Sequence, residues 1–141
     1  MAEPTGNVRA APAPARRDPW LIVAAVVAIV FGLATIRAGG RVVFGVPDAV
    51  VAAGNYVPFV LWFTFVAGFF YVLAGVGFWL RRRWAFALAV AIAAATVAVF
   101  AAFGIHVATG GAWEARTMAA MTLRSVVWLV LAFVAARRIP R

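Results

Sequence analysis

Apolar residues fall along this chain in long uncharged runs, with neither the alternation of a strand nor the polar back of a soluble amphipathic helix. A hydrocarbon layer roughly 30 Å thick is crossed by about 20 mostly apolar helical residues. Four runs meet that need: Trp20 to Ile36, about Tyr56 to Leu80, Trp84 to about Val107, and about Thr117, or as early as Trp113, to Ala136. Only the fourth contains a charge, Arg124. Backbone groups in lipid must be satisfied within the protein, and the alternation of a transmembrane strand is missing, so the runs predict helices. Short links at Arg81 to Arg83 and at Ala108 to Arg116 require antiparallel neighbours. The pattern therefore predicts an all-α integral membrane protein, a four-transmembrane-helix up-down bundle with spans at about 20–36, 56–80, 84–107 and 117–136.

The link between the first two spans is longer. Within it Pro47 and Asp48 read as a helix start and Gly54 as its end, predicting a short helix from Asp48 to Ala53, at the membrane surface or folded back into the bundle. Gly39-Gly40 and Gly110-Gly111 read as loop glycines. Residues 1–18 hold Pro4, Pro12 and Pro14 among alanines and arginines and read as a disordered cytoplasmic tail. Residues 19–136 form the membrane domain, and 137–141 a basic cytoplasmic end. The first span, seventeen residues long and without a small-x-small cleavage site after it, reads as a retained helix rather than a signal peptide.

The composition agrees: 67% of the 141 residues are hydrophobic and 12% charged, about half the charge a water-facing domain carries, which excludes a soluble fold. No cysteine is present, which removes disulfides, thiolate metal sites and thiol nucleophiles. All thirteen basic residues are arginine, and their placement gives the orientation. Arg9, Arg16 and Arg17 precede the first span, Arg81, Arg82 and Arg83 join the second to the third, and Arg137, Arg138 and Arg141 follow the fourth. The other side has Arg37, Arg41 and Arg116. By the positive-inside rule the termini and the Arg81 to Arg83 turn are cytoplasmic. The net charge of +9 thus serves topology and anionic headgroups, and nucleic acid is not expected as a partner. Tryptophans 20, 79, 84 and 113 stand where interfacial anchors are favoured. The lysine-free, Ala/Val/Arg-rich composition suggests a GC-rich bacterial genome and hence a bacterial inner membrane.

Helix association in lipid depends on small residues that form smooth faces. Gly68 and Gly75, with Ala67 and Ala74 beside them, supply one such seam; Ala87, Ala91 and Ala95, and Ala94, Ala98 and Ala102, supply two more in the third span.

Arg124 is the one residue that demands an explanation, since a charge at helix centre costs at least about 2.5 kcal/mol on insertion scales. At 100° per residue, Glu114, Thr117, Met118, Met121, Arg124, Ser125 and Trp128 share one arc of about 120°, with Arg116 opposite. That stripe should face the bundle or a partner. Of the four acidic residues, Glu3 and Asp18 belong to the other side, leaving Glu114 and Asp48 as counter-ions for Arg124. Glu114 is about 15 Å away along a helix, so the pair requires Arg124 to snorkel outward or Glu114 to fold in. Thr96, Thr122, Asn55 or a neutral His106 are further acceptors. His106, near the same mouth, completes a candidate polar cluster of Arg124, His106, Glu114, Met121 and Ser125. A single histidine cannot give bis-histidine haem, and Met118 and Met121 read as packing, so no cofactor or metal site is expected.

The chain has no GxSxG, HExxH, phosphate loop or carboxylate pair, so catalysis is not expected. In size and four-helix plan it resembles the DoxX-like membrane proteins and the small multidrug resistance transporters. The latter rely on a membrane-embedded carboxylate in the first helix, which Trp20 to Ile36 does not have. The leading expectation is an accessory or assembly subunit of a membrane complex, partnered by another subunit or by itself. The alternative is a homo-oligomeric small transporter or a ligand- or lipid-binding protein using the outward Arg/His/Glu cluster.

Overall fold

The computed structural model describes residues 2, 11–14 and 16–140. Most of the tail read over 1–18, with Arg9 and Glu3, lies outside the described residues, as does Arg141. The described chain forms five helices: α1 (Pro19–Val43), α2 (Pro47–Ala53), α3 (Pro58–Trp79), α4 (Arg83–Ala108) and α5 (Ala115–Arg138). Four of them, α1, α3, α4 and α5, are long and apolar enough to cross a membrane.

Local chemistry sets the helix starts. Proline, whose ring presets φ and whose missing N–H is not needed in the first turn, opens α1, α2 and α3. Asp18 caps α1: its Oδ1 accepts from the Trp20 N–H at 3.0 Å, while Oδ2 accepts from Arg138 Nη1 at 3.4 Å, which ties the start of α1 to the end of α5. The short helix predicted between the first two spans is α2, and it ends at Gly54, whose φ of +59° favours a residue without a Cβ.

Two boundaries differ from the sequence reading. α1 runs seven residues past Ile36, so Gly39 and Gly40 are helical, and both are buried against the Phe65 ring and backbone. A charge such as Arg37 marks where a span leaves hydrocarbon; it does not end a helix. α5 continues through Arg137 and Arg138, which the sequence reading set apart as a terminal segment, and the buried Ile139 that follows packs into the core.

The long helices run up and down in a ring, α1 against α3, α3 against α4, α4 against α5, with α5 closing onto α1. The α1–α3 contact is the most extensive and rests on glycine. A Cβ on Gly68 would stand 3.2 Å from the Gly32 carbonyl oxygen, and one on Gly75 would stand 3.0 Å from that of Ala25, so the two backbones touch where a side chain would hold them apart. Between the four helices, Ala25, Ala28, Tyr71, Phe78, Ala85, Ala89 and Trp128 are wholly buried.

The alanine seams expected in the third span are turned outward. α4 buries Ala85, Ala89, Ile92, Ala93, Thr96 and Phe103, whereas Ala87, Ala91, Ala95, Ala94, Ala98 and Ala102 are exposed. Alanine occurs on every face of α4, so its spacing does not distinguish the packed face from the lipid face.

Candidate functional site

The up-down ring collects Arg16, Arg17, Arg81, Arg82, Arg83, Arg137 and Arg138 at one end, where Arg17 lies over the Trp79 ring at 5.3 Å and Arg137 over Phe133 at 5.0 Å. Arg37, Arg41 and Arg116 lie at the other end, together with α2. Between α1, α2, α3 and α5 at that second end is a cleft of about 330 Å³.

Its walls are mostly apolar: Ala38 and Gly39 from α1, Ala52 and Ala53 from α2, Val57, Val60 and Leu61 at the start of α3, and Thr117, Ala120 and Met121 from α5. Tyr56, Glu114 and Arg116 stand at the mouth. Thr64 and Arg124 lie furthest in, Arg124 nine residues past the first residue of α5 and so roughly 14 Å along its axis.

α5 brings Arg124 there because Met121, Arg124, Ser125 and Trp128 recur at helical spacing on its buried face. Arg124 is only 8% exposed. Its Nη1 donates to the Met121 sulfur at 3.5 Å, its guanidinium carbon lies 5.8 Å from the Phe31 ring centroid, and Nε has no partner. A thioether is a weak acceptor, and a phenyl face supplies only part of a counter-charge. Next to it is Tyr71, whose ring stacks on Phe31 and tilts against Trp128 with centroids 4.6 Å apart. The Tyr71 hydroxyl lies beside the guanidinium without forming a hydrogen bond of normal geometry. Thr96 Oγ1 and Trp128 Nε1 lie beside the same hydroxyl, and Thr64 Oγ1 is buried too, none of them in a hydrogen bond of normal geometry. This part of the core thus holds one positive charge and, among the described residues, no negative one.

No described carboxylate reaches Arg124. Asp18 caps α1 and meets Arg138. Asp48 pairs with Arg41 at 2.5 Å. Glu114, the other counter-ion left open by the sequence, turns away: its Oε1 accepts from the Asn55 backbone N–H at 2.9 Å and lies against Gly54. Arg116, expected on the opposite face, reaches across the mouth to donate to the Ala52 carbonyl at 3.4 Å. α2 is thus held at the mouth from both sides, by Arg41 and by Arg116.

Of the five residues expected to cluster, the cleft brings together Arg124, Glu114 and Met121. His106 is held elsewhere, its Nε2 donating to the Ala112 carbonyl at 3.1 Å and its ring edge-on to Phe59. Ser125 donates back to the Met121 carbonyl at 2.8 Å. Thr122, expected as an acceptor, is exposed and bonds the Met118 carbonyl. The residue that sequence reasoning missed is Tyr71. The available signal was a phenol in the middle of an apolar span, three residues after Gly68 and four before Gly75, on the face those glycines bury. Among the described residues no three His, Asp or Glu side chains gather as a metal site would require.

No protein-family model matches the sequence, and no match was found among curated proteins or solved structures.

Proposed function

We propose that this chain is a small non-catalytic protein of a bacterial inner membrane whose cleft, opening on the outer side, binds a small ligand. The orientation rests on the positive-inside rule: seven described arginines lie at the end with the termini, against Arg37, Arg41 and Arg116 at the cleft end. The observation that carries the binding reading is Arg124, a buried charge at the inner end of an open cleft with no carboxylate beside it. A structural ion pair would have its partner inside the chain. A charge kept in the bundle without one is expensive, and intramembrane charges of this kind serve binding or transport.

Native mass spectrometry of the protein, extracted mildly from its host, tests this against Arg124→Met. The wild type should retain a small molecule, and the variant should fold, lose that molecule and unfold at a higher temperature, because an unpaired charge has been replaced by an apolar side chain of similar length. Loss of the variant from the membrane would make Arg124 structural glue instead. Reporter fusions after Arg83 and after Gly110 should report opposite sides, with Arg83 cytoplasmic.

One observation favours a second reading, an accessory subunit of a larger membrane complex. α4 turns Ala87, Ala91, Ala94 and Ala98 outward, where another helix can approach closely. Recovery of a stoichiometric second protein in the same experiment would decide for it.

A further inference from the structure

We infer that the ligand of the cleft is a small organic monoanion, a carboxylate on a short apolar body, which enters with its charged group first and seats it against Arg124 and Thr64. The inference rests on the ligand-cleft reading above and adds the chemistry of the ligand.

Charge comes first. A guanidinium has five donors and stays protonated, and the acceptors beside Arg124 are both neutral, the Met121 sulfur and the Tyr71 hydroxyl. Thr64, whose buried hydroxyl has no partner of normal geometry, lines the cleft with Arg124 and can donate as well. A neutral carbonyl would accept hydrogen bonds yet leave the buried positive charge uncompensated; an oxyanion answers both deficits. The planar fork of Arg124 suits the two oxygens of a carboxylate.

The chain itself cannot supply that oxyanion. Asp18, Asp48 and Glu114 are engaged elsewhere, and none of the four spans contains an acidic residue that a second copy might insert. The electrostatics of the mouth favour an anion from solution: Arg37, Arg41 and Arg116 stand at that end against Asp48 and Glu114.

Size sets the body. A volume of about 330 Å³ corresponds to roughly ten water-sized groups, near the lower limit of small-molecule sites. The walls leading from Arg124 towards the mouth are apolar at Val57, Val60, Leu61 and Ala120, so the part of the ligand behind its carboxylate should be hydrocarbon. A phospholipid of the outer leaflet offers an oxyanion too, with its chains pointing to the bilayer centre rather than to the mouth, and is the competing source.

The test uses the full chain in phosphatidylcholine nanodiscs and carboxyl-13C-labelled hexanoate. A bound carboxyl resonance should appear. Its protonation should need a lower pH than that of free hexanoate in the same sample, because the guanidinium favours the ionised form. Hexanol should compete at least about tenfold more weakly, since it offers no charge-assisted bond. Arg124→Gln should abolish the pH displacement, while the hexanoate-against-hexanol comparison on the wild type needs no variant to fold. Displacement of hexanoate by phosphatidylglycerol added to the discs would support the oxyanion site and name a lipid headgroup as its source. Hexanol competing as well as hexanoate, or a bound carboxyl that titrates like the free acid, would overturn the monoanion and leave the cleft reading standing. If neither compound enters, both readings fall.

Discussion

Adding one methyl group at Gly32 should separate α1 from α3. A Cβ there would stand 2.8 Å from Val72 Cγ2, 2.9 Å from the Gly68 carbonyl oxygen and 2.9 Å from the Val72 nitrogen. The valine methyl can rotate away, but the other two atoms are α3 backbone, and they move only if the helix moves. Overpacking of this kind costs about 1–3 kcal/mol. Gly32→Ala also gains helix propensity, worth about 1 kcal/mol, which hides part of the cost. Gly104→Ala supplies the correction, because Gly104 is helical and exposed, and a Cβ there would meet nothing within 4 Å. It should stabilise by that same ~1 kcal/mol, so that the difference between the two variants isolates the packing cost. Reversible unfolding in mixed micelles, followed by far-UV circular dichroism, should place Gly32→Ala about 1–3 kcal/mol below Gly104→Ala. Equal shifts for the two variants would refute the backbone contact between α1 and α3.

Other expectations concern single interactions. Thr96 is wholly buried, and its hydroxyl lies beside that of Tyr71 without a hydrogen bond of normal geometry, so Thr96→Val should raise stability by about 1 kcal/mol in the same assay; a loss would mean that the hydroxyl bonds Tyr71. The hydrogen bond from Arg41 holds the Asp48 carboxyl below its ordinary value of 3.8. This pair therefore contributes fully above pH 3.8 and is lost only as the pH falls below it, and amide exchange in α2 should show an acid-side rise that Asp48→Asn removes. Glu114→Ala frees the Asn55 N–H, and a hydrogen bond worth about 1 kcal/mol predicts roughly fivefold faster exchange of that amide, with no change in the core of α4. Unchanged exchange at Asn55 would show that Glu114 does not restrain the segment after α2.

Membrane insertion made the fold legible in the sequence: uncharged length specifies a span, Pro47 with Asp48 specifies the start of the short helix, and Gly54 specifies its stop. Arg124 was legible for the same reason, since a lone charge in an apolar run must face the interior, and the helical period placed Met121, Ser125 and Trp128 with it. The remainder depends on tertiary contact. Gly39 and Gly40 looked like loop residues because glycine weakens helices in isolation, yet Phe65 packs directly against both. The outward alanines of α4 were misread because a small residue suits lipid and protein equally. Charge and elimination leave Glu114 and Asp48 as counter-ions for Arg124, but Glu114 accepts from the backbone amide of Asn55 and Asp48 pairs with Arg41, contacts between distant segments that the sequence does not display. Tyr71 required knowing which face of α3 the glycines bury.

The glycine contact between α1 and α3 also bears on how the chain is made. α1 finds its main partner not in the helix that follows it but in the next spanning one, and the ribosome must add about 36 more residues after Val43 before α3 is complete. At ~5–20 residues per second that takes roughly 2–7 s. During this interval the groove at Gly32 is filled only by acyl chains or by the insertion machinery. Chain order alone lets the α1–α3 contact form before α4 and α5 have been made. A nascent chain stalled between Ala53 and Pro58 would carry an orphan helix with a bare glycine face, the kind of species that membrane quality control removes.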